Sequence, residues 1–222
     1  RQNYKRLAHL DKDIFQERFF NPGCNFFLTT RTASWLIIMK ESELFPLYFL
    51  PRNNGDMIKI VERASGKSYE YNRLETGAAV LDMAAIRMYF AENENVLPSV
   101  FDIYYNSKFS CRIVIERCEP SREHYRLKFR NSLGVFEIIE LAGKLSISPK
   151  YEGADAARFK RYDTDTAEFY TDRGRVERSQ SITAETGIKR PDEIRFLMDM
   201  LGSEEVYLLD FAPLPVKVIP SA

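Results

Sequence analysis

His124–Leu141, HYRLKFRNSLGVFEIIEL, decides the fold. Tyr125, Leu127 and Phe129 alternate with Arg126, Lys128 and Arg130, and a period of two places the apolar set on one face of a strand and the basic set on the other. Asn131-Ser132-Leu133-Gly134 supplies turn residues, and Val135–Leu141 runs back apolar and β-branched. The stretch predicts a hairpin and a mainly β protein, and it carries no catalytic chemistry.

Further hairpins are expected on both sides of it. Phe26–Thr30, Trp35–Met39 and Leu44–Leu50 read as short strands, the third pushed toward a sheet edge by Pro46. Met57–Val61 with Ser68–Tyr71, and Val100–Tyr105 with Phe109–Glu116, read as two hairpins. Between them Asp82 is a candidate N-cap for a short helix near 82–90, with Met83, Ile86 and Phe90 on its apolar side. After the central hairpin come Leu145–Ile147, a polar connection through Gly153, and strands around Phe159–Tyr162, Glu168–Thr171 and Val176–Ile182. A C-terminal helix near 191–201 has Pro191 in its first turn, acids at Asp192 and Glu193, and Gly202 at its end. Ile194, Leu197, Met198 and Leu201 form its apolar stripe and are expected to pack on a sheet. Val206–Phe211 and Val216–Ile219 close the chain as strands.

The expected organisation is an N-terminal arm (1–23), a β-sandwich-like domain (24–118) and a second β-rich, sandwich-like domain (119–222) carrying the C-terminal helix. The two halves meet near Cys118–Ser121. The 222 residues suffice for a buried core, and 45% hydrophobic with 29% charged residues excludes disorder. Lys plus Arg equals Asp plus Glu at 32 each, so no overall field recruits nucleic acid, which is not expected as a partner. Cys24, Cys111 and Cys118 cannot all pair and match no zinc or redox spacing, so free thiols are expected. No apolar run reaches the ~20 residues of a membrane span, and a soluble chain is expected. It opens at Arg1 without Met, which leaves open a removed leader.

Chemistry-bearing residues are few. His9 and His124 are the only histidines, no G-x-S-x-G elbow or glycine-rich loop accompanies them, and His124 reads as a strand-edge residue touching solvent. Asp163, Asp165 and Glu168 sit close enough to suggest calcium but lack the turn glycine and further carboxylates, so a solvated turn is expected. Arg126, Lys128 and Arg130, with Arg158, Lys160, Arg161, Arg173, Arg175 and Arg178, are interleaved with Asp163, Asp165, Glu168, Asp172 and Glu177, as on a solubilising sheet surface. Phe19, Phe20, Phe26 and Phe27 are the aromatics least explained by alternation. The reading is therefore of no catalytic residue, no cofactor and no metal.

Three stretches carry a resemblance. They are Leu81-Asp82-Met83-Ala84-Ala85-Ile86-Arg87-Met88-Tyr89-Phe90; the pattern Leu127-x-Phe129-x-Asn131-x-Leu133-Gly134-x-Phe136; and a tail with Thr186-Gly187-Ile188, Leu197–Ser203, Val206-Tyr207-Leu208 and Pro215-Val216. In that order they resemble β-rich structural proteins of prophages and phage-like elements of gut bacteria, of tail or baseplate type. The resemblance implies a non-enzymatic assembly subunit that forms homo-oligomers and meets other structural proteins, cytoplasmic before joining a particle. A surface or secreted carbohydrate-binding module is the alternative.

Overall fold

The computed structural model describes residues 27–31, 35–51, 53–75, 77–95, 97–117, 123–153, 158–173, 176–186, 189–210 and 215–220. The expected arm, Cys24, and the expected junction at 118–121 lie outside the described residues. By contacts the chain divides into two units, Arg1–Ala142 with Thr186–Ala222, and Gly143–Glu185, so the division runs at the ends of an inserted segment.

The larger unit is mainly β. A five-stranded sheet has the order β1 (Leu36–Lys40), β7 (Lys108–Glu116), β6 (Val100–Tyr105), β3 (Asp56–Glu62), β4 (Ser68–Leu74). Its β1–β7 pair is parallel and the others antiparallel. One face buries Ile37, Met39, Ile58, Ile60, Phe101, Ile103, Ile113 and Ile115 by period-two alternation. The covering layer consists of helix α1 (Met83–Glu94) and the ribbon of β2 (Leu47–Phe49) with β5 (Ala79–Leu81), so a helix stands where a sandwich would have a second full sheet. Asp82 caps α1, accepting from the backbone N–H of Ala84 and Ala85 at 3.0 Å, and Met83, Ile86 and Phe90 are its buried side chains. Phe27 bridges to Phe49 with edge-on rings, while Leu28–Arg31 leave strand geometry.

A four-stranded sheet follows, in the order β15 (Val216–Val218), β14 (Val206–Leu208), β8 (His124–Arg130), β9 (Phe136–Ala142). The expected hairpin is β8–β9, with Gly134 at φ +90° in its turn. Register places Leu127, Phe129, Ile139, Leu141, Val206 and Leu208 on one face, and helix α2 (Pro191–Leu201) packs there through Phe196, whose ring meets Phe129 at 5.1 Å. Only half of the stripe expected to face this sheet is turned from solvent: Leu197 and Leu201 are half-buried, Ile194 is 50% and Met198 61% exposed, and the fully buried side chains are Phe196 and Met200. Among the described residues no helix is long and apolar enough to cross a membrane.

The smaller unit holds two hairpins. β10 (Leu145–Gly153) pairs with β13 (Val176–Ala184) over nine positions, so the segment expected as a polar connection is continuous strand. β11 (Arg158–Asp163) pairs with β12 (Glu168–Arg173).

Candidate functional site

The most constrained chemistry lies around β9. In an apolar run, Glu137 and Glu140 are buried carboxylates, a costly placement unless donors meet them. Glu137 accepts from Thr29 Oγ1, from Asn131 Nδ2 at 2.6 Å and from the Thr30 N–H at 3.5 Å. Burial holds its carboxyl above the ordinary carboxylate range, against the pull of Arg31 and these donors. Glu140 accepts from Ser42 Oγ and from Lys40 Nζ at 2.9 Å, and faces His124 Nδ1 at 3.1 Å. Burial pushes it up, but Ser42 and Lys40 outweigh that and hold it below the ordinary range.

Among the described residues, the outer edge of β9 is met by side chains rather than by a strand. Arg31 donates to the Ile138 carbonyl, Lys189 Nζ donates to the Glu140 carbonyl at 2.9 Å, and the Glu140 N–H donates to Glu43 Oε1 at 2.7 Å. Arg31 also donates to Glu43 Oε2 at 2.7 Å and to the Ile38 carbonyl of β1 at 3.4 Å, with its guanidinium 4.3 Å from the Phe196 ring centre. A single buried Arg–Glu pair thus joins the edges of two sheets and the inner face of α2. Burial pushes the Glu43 carboxyl up, yet Arg31 and the Glu140 and Lys40 N–H groups hold it below the ordinary range. Each of these three acids accepts several structural hydrogen bonds, an arrangement that fixes edges.

The open surface lies on the other side of α2. A cleft of about 290 Å³ runs between the hairpin turn and the end of the helix, lined among others by Arg130, Ser132, Met198, Asp199, Glu204 and Glu205. Asp199 accepts from Thr30 Oγ1 at 2.7 Å and from the Ser132 N–H at 3.1 Å, which fixes the cleft floor. Met198 joins the cleft to exposed Ile194, with half-buried Leu197 and Leu201 completing the stripe. A second exposed group stands at the far sheet: Trp35, 51% exposed, lies 6.4 Å from Phe109, which lies 5.8 Å from Tyr104. Arg112 sits 5.7 Å from the Trp35 ring centre and donates to Asp102 at 2.6 Å.

His124 is on β8 against Glu140 rather than simply at solvent. Asp163 accepts from the Asp165 N–H at 2.9 Å in the β11–β12 turn, with Asp165 and Glu168 exposed. Lys128 lies between the rings of Phe45 (5.7 Å) and Phe136 (4.7 Å), and Arg126 pairs with Asp210 at 2.6 Å, so the basic face of β8 is occupied by protein partners. Phe27 is fully buried. His9, Phe19, Phe20 and Phe26 lie outside the described residues, as do the side chains of the basic residues from Arg158 to Arg161 and Arg173 to Arg178. The Arg31–Glu43 pair and Glu137 were not singled out from sequence; two acids inside an apolar strand were the available signal. No family model, curated protein or solved structure matches the chain.

Proposed function

We infer that the chain is a non-enzymatic structural subunit of a phage-type tail or related particle, working by homo-oligomer formation alongside other structural proteins. The observation that carries the assembly reading is α2: buried charge and Phe196 fasten one face to the protein, while Ile194 and Met198 of its apolar stripe are left at the surface. The three stretches that resemble prophage structural proteins support the setting, and include both α1 and α2. Light scattering on size-separated protein at several concentrations tests it. A mass at a multiple of the single chain, rising with concentration, is expected; a monomer throughout contradicts it.

The Trp35–Phe109–Tyr104 group favours a second reading, a carbohydrate-binding module, because exposed rings beside a fixed Arg–Asp pair suit stacking on a pyranose with hydrogen bonds at its rim. A glycan array separates the two: saturable binding lost in Trp35→Ala would favour the module.

A further inference from the structure

We propose that a second copy of this chain docks on α2 in an antiparallel, two-fold pairing, with Arg195 of each copy entering the acid-lined cleft of the other. The proposal rests on the homo-oligomer reading and adds the surface and the geometry.

Ile194, Leu197, Met198 and Leu201 follow i, i+3, i+4, i+7 spacing, and at 3.6 residues per turn their stripe lies roughly 130° round the helix from Phe196 and Met200. The helix is therefore already anchored by its other face, while Ile194 and Met198 meet solvent and Leu197 and Leu201 are half-buried beside them. Charge selects the occupant. The cleft sets three carboxylates, Asp199, Glu204 and Glu205, against one guanidinium, Arg130. Arg195, exposed, stands beside the stripe one turn before Asp199, which lies further round toward Phe196. Antiparallel pairing centred between Leu197 and Met198 brings Ile194 opposite Leu201 and carries Arg195 of one copy to the Asp199 end of the other. The contact is self-complementary, as a two-fold interface must be, and the two helix dipoles oppose favourably. A parallel pairing would set like charges together. A helix pair about 16 Å long is at the small end of specific interfaces, so association should depend on concentration.

Sedimentation velocity of the full chain over a concentration series tests this with two charge reversals, Arg195→Glu and Glu204→Lys. Each alone places like charges at both ends of the pairing, and each is expected to weaken association at least tenfold. Mixed, the two variants restore opposite charges at both ends, and a heterodimer near wild-type affinity is expected. If the wild type associates but neither variant weakens it, or the mixture shows no recovery, the interface is overturned while the homo-oligomer reading survives. If the wild type stays monomeric, that reading falls and the interface with it. A monomeric wild type in which Met198→Glu lowers the unfolding midpoint would assign the stripe to packing within the chain.

Discussion

Arg31 shows how a single side chain can decide the arrangement of a protein whose charges are otherwise balanced. It meets a carbonyl on β1, a carbonyl on β9, the Glu43 carboxylate and the Phe196 ring. Removing one partner of a buried ion pair leaves the other unpaired, and Arg31→Ala is expected to cost about 3–5 kcal/mol in urea unfolding. Replacing both, as Arg31→Met with Glu43→Leu, should recover much of that loss; a double variant no better than Arg31→Ala would contradict the pair as the source. The acids around it respond to pH in opposite senses. Glu43 and Glu140, held low, contribute stability that is present above the ordinary carboxylate value and is lost as pH falls through their folded values. Glu137, held high, keeps its proton more tightly when folded, so its ionisation costs stability as pH rises above about 4.3. Urea midpoints between pH 4 and 7 should therefore show Glu137→Gln gaining on the wild type as pH rises. A difference independent of pH would remove the ionisation cost from Glu137. Burial, helped by the Asp102 charge and opposed by a hydrogen bond with Ser110, pushes the Cys111 thiol up to about 12, consistent with a packing role.

At the scale of elements, local chemistry was legible where it was self-contained. Asp82 caps α1 as its position before Met83 suggests, and Asp82→Ala is expected to cost about 1 kcal/mol, read from the thermal unfolding midpoint. The β8–β9 hairpin likewise follows from alternation and its turn. What periodicity could not decide was which face of α2 would be buried. The stripe announces an amphipathic helix, but Phe196 is chosen by Phe129 and Arg31, respectively 67 and 165 residues away in sequence (196 − 129 and 196 − 31). Thr29 and Glu137 meet across 108 positions, so no local pattern could pair them. The polar residues of β10 looked like a connection because alternation is weak there, and its partner β13 supplies the strand register.

In the larger unit, one sheet edge that could recruit a neighbouring strand is met by Arg31, Glu43 and Lys189, so the proposed assembly would run through side-chain surfaces instead. Such a protein should associate in a defined number of copies rather than as an open-ended sheet. Native mass spectrometry across a dilution series measures this most directly. A two-copy species is expected, in exchange with monomer and reduced by Met198→Glu while the fold is retained. Monomer alone at every concentration would contradict it.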